Sequence, residues 1–387
     1  MLNPEYPAFP ILSLIGAALV IIPLPWHFQA WNSGTCLFMI WTSIACLNLG
    51  VNAIVWNNNV INHAPVWCDI SSRIIVAVSV AIPASSLCIN RRLYKIATMR
   101  TASISRAEKR QAVLVDLAIG AGIPFLQLIA FHIVNGHRFD IFEQVGCYPY
   151  VYNTPVAFPL VYVWPLVIGL CSAVYCVMSL RAFALRRAQF SEFLSASASL
   201  TIGRYFRLMA LATAELMCTT PIAAYGLSLN ARSQIHPWIS YADTHFGYSR
   251  VDQWPAVLWK AQPNSTIIFD LTRWLTVFCA FIFFGFFGFA DEARRNYAKA
   301  ASPFIKLYRR VFPQRETEQL PPYSVSKGFQ LQSVGTIPVF TRRLSIEKDH
   351  KVVSMSYSES DVSDLSPPPT ADFVRRYSLS SHCEHAI

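Results

Sequence analysis

Seven apolar stretches dominate this 387-residue chain, and they decide what it can fold into. A helix needs about 20 apolar residues to cross the hydrocarbon core of a bilayer, and each stretch is about that long. The hydrophobic share of 53% and the charged share of 14% also differ from those of a soluble domain. We therefore expect an all-α membrane protein, with a seven-transmembrane helix bundle at 1–290. The predicted spans lie at about 8–28, 33–55, 66–89, 112–134, 156–180, 205–229 and 266–290.

The loops between these spans carry their Lys and Arg residues mainly on one side. That side of the predicted bundle holds seventeen of these residues near the span ends, and the other side holds four. Seven of the seventeen lie at 90–111. Because positively charged loops stay in the cytoplasm, we predict an outer N-terminus and a cytosolic C-terminus. Basic loops on the anionic face of the lipid bilayer also account for the net charge of +10 without nucleic-acid binding.

Residues 291–387 have the composition of a cytoplasmic tail. They contain ten serines between Ser345 and Ser381 and the run "SPPPT", a composition that cannot bury a core, so we expect most of the tail to be disordered. The juxtamembrane segment 304–312 mixes apolar and basic residues as an amphipathic interfacial segment does. The patterns "RRLS" and "RRYS" predict phosphorylation at Ser345 and Ser378.

Two pairs of opposite charges lie in the outer parts of spans. Asp69 precedes Arg73 by four residues and Asp270 precedes Arg273 by three, so each pair can form a local ion pair on its helix. Ionisable residues inside a span are costly and often functional. Arg73, which lies some way into the third span, is therefore a candidate ligand-binding residue.

Glu215 and Asp116 are the remaining acidic residues within spans. Asp116 lies near the cytoplasmic end of its span and can reach the interface. Glu215 lies close to the middle of the sixth span and has no local partner of opposite charge. We expect Glu215 to face the bundle interior and to meet Arg73 or another polar group, which makes it a second candidate ligand-binding residue.

Cysteines and aromatic residues distinguish the outer face. Cys68 and Cys147 both fall on that side, where the environment is oxidising, so they form either a disulfide or two free thiols. The outer segment 236–250 is rich in aromatic and histidine residues, including Trp238, Tyr241 and His245. These three side chains either contact a ligand or belong to the interfacial aromatic belt.

Three functional classes have seven helices: retinal proteins, transporters and receptors. A retinal protein needs a lysine in its seventh helix, and 266–290 contain none. Transporters commonly show internal repeats, which this sequence lacks. Neither a nucleophile elbow nor a phosphate-binding glycine loop nor a metal-ligand motif is found, so we predict no enzyme activity, cofactor or metal. A receptor with a cytosolic transducer accounts best for the basic loops and the long tail.

Four segments carry a family resemblance. They are "LPWHFQAWNSGTCLFMIWTSIACLNLGVNAIVW" at 24–56, "WCDISSRI" at 67–74, "LCINRRLYKIA" at 87–97 and "GCYPYVYNTP" at 146–155. In these segments the chain resembles the fungal pheromone receptors of the a-factor receptor family, which are class D G-protein-coupled receptors, and especially the mating-type receptors of mushroom-forming basidiomycetes.

The resemblance implies a multi-pass receptor of the plasma membrane. Its ligand would be a farnesylated peptide pheromone with a C-terminal methyl ester, and it would activate a heterotrimeric G protein and a mating MAP-kinase pathway. We expect ligand to separate the cytoplasmic ends of the third and sixth helices. The candidate coupling residues on that face are Arg91, Arg92, Tyr94, Lys95, Arg186, Arg187, Arg204 and Arg207. An orphan receptor that no longer responds to mating pheromone and a transporter remain the alternatives.

Overall fold

The computed structural model describes residues 4–98, 105–196, 202–290, 293–297 and 302. Within these residues, seven helices are long and apolar enough to cross a membrane, which confirms the predicted seven-helix fold. Four helices are continuous: helix 2 is Ser33–Val55, helix 3 is Pro65–Thr98, helix 6 is Ile202–Arg232 and helix 7 is Pro263–Gly288. Helix 1 has two parts, Ala8–Ile21 and Leu24–Gln29. Helices 4 and 5 each include a π-helical turn: helix 4 consists of Arg106–Leu117, the turn Ala118–Gly122 and Ile123–Val134, and helix 5 consists of the turn Phe158–Tyr162 and Trp164–Ala196.

Helix 3 is the central element of the bundle. It packs against helices 2, 4, 5 and 6. Its 34 residues correspond to a length of about 50 Å, whereas the hydrocarbon core of a bilayer measures about 30 Å. Helix 3 therefore continues past the predicted end of its span, and residues 90–98 form its last turns. Glycine permits close packing beside it, because a Cβ on Gly34 of helix 2 would lie 2.9 Å from the Cβ of Cys88.

Helix 4 begins at a capping box. The hydroxyl of Ser105 accepts a hydrogen bond from the backbone N–H of Glu108 at 3.2 Å, and the Glu108 carboxylate accepts one from the backbone N–H of Ser105 at 2.8 Å. These two bonds satisfy donors that a helix N-terminus otherwise leaves free. The helix therefore starts six residues before the predicted span does.

The outward faces of the bundle carry large apolar side chains. Phe125 and Leu126 on helix 4, Val177 on helix 5 and Phe278 on helix 7 are all exposed. So much exposed apolar surface is unfavourable in water and is what a lipid environment requires. The inward faces form a core that includes Met39, with aromatic residues of helices 6 and 7.

A small sheet covers one end of the bundle. Its strands are β1 (Phe139–Phe142), β2 (Gly146–Tyr148) and β3 (Val251–Trp254), in the order β2-β1-β3. β1 pairs antiparallel with β2 and parallel with β3. A disulfide between Cys68 and Cys147 joins the start of helix 3 to β2, with a Cα–Cα distance of 5.1 Å. We call this the disulfide end, and we call the opposite end, where residues 90–98 lie, the basic end.

Which end faces the cytosol stays a prediction from loop charge. The predicted tail features, namely the amphipathic segment 304–312, the disordered region and the phosphorylation sites Ser345 and Ser378, lie outside the described residues.

Candidate functional site

A cavity of about 710 Å³ lies between helices 2, 3, 5, 6 and 7 beneath the sheet at the disulfide end. Along helix 3 its lining runs from Ile74 to Pro83, and along helix 6 from Thr219 to Asn230. It therefore reaches from the sheet to about the middle of the bundle. Most of its lining residues are aliphatic or aromatic, and small-molecule sites commonly have this size and character.

Asn52 of helix 2 connects the elements that cover the cavity at the disulfide end. Its side-chain N–H₂ group donates to the Ser71 hydroxyl at 2.8 Å and to the backbone carbonyl of Cys147 at 3.4 Å, while its oxygen accepts from the Trp67 indole at 2.8 Å. One amide thus joins helix 2, helix 3 and β2. Gly146 permits this approach, because its φ is +93° and a Cβ there would lie 2.5 Å from that of Asn52.

Two tyrosines of the segment after β1 line the cavity from above. Burial raises the pKa of Tyr148 to about 12. The pKa of Tyr150 is also raised, first by burial and then by the charge of Asp140. Both phenols are therefore uncharged at physiological pH, and they offer aromatic surface and hydroxyl groups to a ligand.

Arg273 of helix 7 also lines the cavity and is 5% exposed. Its guanidinium lies 3.3 Å from the carboxylate of Glu5 and 3.9 Å from that of Asp270. The Phe9 ring lies below it, 4.1 Å away. The predicted contact with Asp270 is therefore the longer of the two, and Glu5, three residues before helix 1, supplies the shorter one.

Arg73 makes the local contact that the sequence allows. Its guanidinium donates to the backbone carbonyl of Asp69 at 2.7 Å and lies 3.5 Å from the Asp69 carboxylate. Asp69 makes a closer pair with Arg138 of the loop after helix 4, at 2.5 Å. This hydrogen bond raises the pKa of Arg138. Asp69 thus ties helix 3 to the segment that carries β1, and Arg73 is not among the residues lining the cavity.

Glu215 is buried as expected, and of the two expected kinds of partner it contacts a polar group and not Arg73. Among the described residues, its carboxylate accepts a hydrogen bond from Thr219, one turn further along helix 6, at 2.8 Å. Thr219 lines the cavity, so Glu215 lies just below the cavity floor.

The aromatic residues predicted for ligand contact lie elsewhere at the disulfide end. His245 stacks on Tyr241 with ring centroids 3.9 Å apart, and the Tyr241 hydroxyl lies 3.1 Å from His132 of helix 4. Trp238 is 40% exposed. None of Trp238, Tyr241 and His245 lines the cavity. These contacts tie the loop before helix 7 to the end of helix 4.

The basic end is closed by a buried ion pair. Arg91 of helix 3 donates to the Asp116 carboxylate of helix 4 at 2.7 Å, with side-chain exposures of 14% and 3%. The Ser33 hydroxyl donates to the other oxygen of Asp116. The expectation that Asp116 reaches the interface is wrong, because the side chain is buried among helices 2, 3 and 4. We call Arg91, Asp116 and Ser33 the polar latch.

The other candidate coupling residues have different surroundings. Arg92 donates to the backbone carbonyls of Ala30, at 3.3 Å, and Trp31. Tyr94 packs on Tyr175, with ring centroids 6.0 Å apart, and Lys95 is exposed. The guanidinium of Arg207 lies 5.9 Å from the centre of the Phe287 ring. The side chains of Arg186, Arg187 and Arg204 lie outside those that the structure describes.

The described residues thus form a seven-helix membrane protein with a cavity at one end and the polar latch at the other. The model of one family, described as pheromone A receptor, matches residues 8–307. The chain belongs to this family.

Named relatives agree with this assignment. The chain is 52% identical over 301 residues to the pheromone B alpha 3 receptor of Schizophyllum commune, covering 78% of this chain and 48% of that protein. It is 53% identical to the pheromone B alpha 1 receptor of Schizophyllum commune over 301 residues, with shares of 78% and 47%. It is 34% identical over 303 residues to pheromone receptor 1 of Ustilago hordei, with shares of 77% and 84%. The chain thus spans about half the length of the Schizophyllum commune relatives and most of the Ustilago hordei one.

Proposed function

We propose that this chain is a G-protein-coupled receptor of the plasma membrane for a farnesylated peptide mating pheromone. In this proposal it activates a heterotrimeric G protein that feeds a mating MAP-kinase pathway. Family membership supports pheromone sensing, since the relatives are named as pheromone receptors. The observation that carries the proposal is the largely apolar cavity beneath the sheet.

A farnesyl group suits such a cavity. It is an uncharged chain of about 15 carbons, and burying it is favourable by roughly 12 kcal/mol at about 0.8 kcal/mol per carbon, as for other lipid anchors. Much of this energy is already gained when the ligand partitions into the bilayer. The cavity must therefore add specificity through shape and a few polar groups, and the remaining peptide can contact the sheet and loops at the disulfide end.

The route from cavity to basic end runs along helices 3 and 6. Helix 3 lines the cavity from Ile74 to Pro83 and carries Arg91 of the polar latch. Helix 6 lines it from Thr219 to Asn230 and contains Pro221, which removes a backbone hydrogen bond within the helix. A ligand that favours another arrangement of these helices would open the basic end to a G protein.

The test is a G-protein reporter in cells that express the chain, challenged with matched farnesylated and unprenylated peptides. A response to farnesylated peptides alone is the expected result. Ala223→Phe should reduce the response because Ala223 lines the cavity, whereas the neighbouring Ala224→Phe should not, since Ala224 is exposed and absent from the lining. Surface expression without any response would favour an orphan receptor. Ligand-independent solute uptake would favour a transporter.

The proposal also requires the basic end to face the cytosol. An epitope inserted after Arg100 should be inaccessible to antibody on intact cells and accessible after permeabilisation. Staining of intact cells would invert the predicted orientation, and the proposed G-protein surface would then lie outside.

A further inference from the structure

The carboxylate of Glu215 differs from the other three acidic side chains within the predicted spans. Each of those three forms an ion pair with an arginine: Asp69 with Arg138, Asp116 with Arg91 and Asp270 with Arg273. Glu215 is 3% exposed, and among the described residues no Lys, Arg or His pairs with its carboxylate. An unpaired buried charge is costly, and intramembrane carboxylates often mark ion sites.

Two hydroxyl groups lie beside the Glu215 carboxylate. The Thr219 hydroxyl, one turn further along helix 6, donates to it at 2.8 Å. The Ser86 hydroxyl of helix 3 faces the same carboxylate, but it is fully buried and has no hydrogen-bond partner in the part of the chain that the structure describes. The neighbouring Ser85 hydroxyl, by contrast, donates to the backbone carbonyl of Ala81 at 2.7 Å. Ser86 therefore places an unused polar group next to an unpaired carboxylate.

The cavity gives these oxygens a route to the solution at the disulfide end. Thr219 lines the cavity, and so does Asn48 of helix 2, whose side-chain oxygen is buried without a partner among the described residues. The cavity of about 710 Å³ is far larger than the volume of about 30 Å³ that one water molecule occupies. A hydrated ion can therefore reach Glu215 from the disulfide end, and water in the cavity can complete its coordination.

We propose that Glu215, Thr219 and Ser86 form a site for a sodium ion. Hard cations prefer oxygen ligands, and carboxylate and hydroxyl oxygens are the groups that meet here. A single positive charge balances the one carboxylate, whereas a divalent ion would leave a surplus charge buried. The ion joins helices 3 and 6 just below the cavity floor. No sequence motif predicts this site, because its oxygens come from two helices.

The experiment compares the melting temperature of the purified full-length chain in sodium chloride and in N-methyl-D-glucamine chloride at equal ionic strength. Sodium should raise the melting temperature of the wild type by about 2–4 °C relative to the bulky organic cation, because an ion that binds only the folded state stabilises it. Glu215→Gln should abolish this difference. Ser86→Ala should require about five- to tenfold more sodium for the same effect, since one ligand is lost. Ser85→Ala is the matched control and should behave as the wild type does.

Two results would overturn the sodium site. Equal melting temperatures of the wild type in the two salts would show that a proton, not sodium, neutralises Glu215. A full sodium effect in Glu215→Gln would place the ion elsewhere. Should Glu215→Gln not yield folded protein, the two serine variants decide, because equal sodium dependence in Ser86→Ala and Ser85→Ala would contradict the proposal. The assay uses no peptide, so its result is independent of whether the proposed function holds.

Discussion

Neutralising Asp116 tests whether the polar latch holds the receptor in its resting state. The pair is nearly inaccessible to solvent, with Arg91 14% and Asp116 3% exposed, and its atoms lie 2.7 Å apart. Asp116→Asn keeps the size of the side chain but removes the negative charge, and its single amide oxygen cannot replace both carboxylate oxygens, one of which accepts from Ser33 and the other from Arg91. The change therefore weakens the latch while avoiding the cavity that alanine would leave.

The magnitude follows from the kind of hydrogen bond that is lost. Hydrogen bonds to charged groups contribute about 1.5–3 kcal/mol, and the loss of the one between Arg91 and Asp116 weakens the latch by about that amount. If the latch is made only in the resting arrangement, the active population rises by the full difference. Because about 1.4 kcal/mol is a factor of ten, we expect ligand-free signalling to increase about 10- to 100-fold.

The assay is ligand-free reporter output divided by surface receptor, measured for Asp116→Asn, Arg91→Gln and the double variant. Residues in one contact are not additive, so the double variant should exceed either single one only slightly. Lys109→Gln is the matched control, since it removes an exposed charge from helix 4, which also carries Asp116. Unchanged basal output in both single variants at normal surface level would refute the role of the latch. An increase in Lys109→Gln as well would assign the effect to loop charge.

Three further predictions concern the disulfide end and the cavity floor. Cys147→Ser should lower the melting temperature of the purified receptor, and the double variant with Cys68→Ser should lower it to the same extent. The reason is that the disulfide closes a segment of 79 residues and contributes up to about 4 kcal/mol. An unchanged melting temperature would contradict this. Gly146→Ala should reduce ligand response because its φ is +93° and its Cβ would meet Asn52, whereas Gly122→Ala, with nothing within 4 Å, should not. Glu215→Gln should keep the ligand response within about threefold, since an uncharged acceptor still receives the Thr219 hydroxyl; complete loss would show that the charge itself is needed.

The helices were predictable from sequence because the bilayer imposes one length requirement on every span. Apolar composition therefore identified all seven. Apolar composition also predicts an end of helix 3 at residue 89, because the charged residues begin there. Helix 3 continues to Thr98, and its charged turns reach the helix 4 carboxylate of Asp116 and the carbonyls of 30–31.

The cavity and its polar contacts were not predictable in the same way. Local spacing suggests partners three or four residues away, which accounts for the Arg73 contact with Asp69. Arg91 pairs across 25 residues and Arg273 pairs with Glu5 across 268. Only the packing of the bundle brings such residues together. Because an unpaired charge is costly to bury, the position of Arg273 within an apolar span indicates that it has a partner of opposite charge. The sequence does not show which residue that partner is.

Helix 3 connects the two ends of the molecule in a way that limits how a ligand can act. The disulfide fixes its first turn to the sheet, and Arg91 lies 23 residues after Cys68, a distance of about 35 Å along the helix axis. In the proposed function, a ligand beside Ile74–Pro83 would act on this helix between two points that are held by other contacts. Because Pro83 removes a backbone hydrogen bond there, bending is concentrated at that position. Such bending would move the last turns relative to helix 4 and lengthen the 2.7 Å contact between Arg91 and Asp116, which would weaken it because N–H···O hydrogen bonds need a distance of about 2.7–3.2 Å.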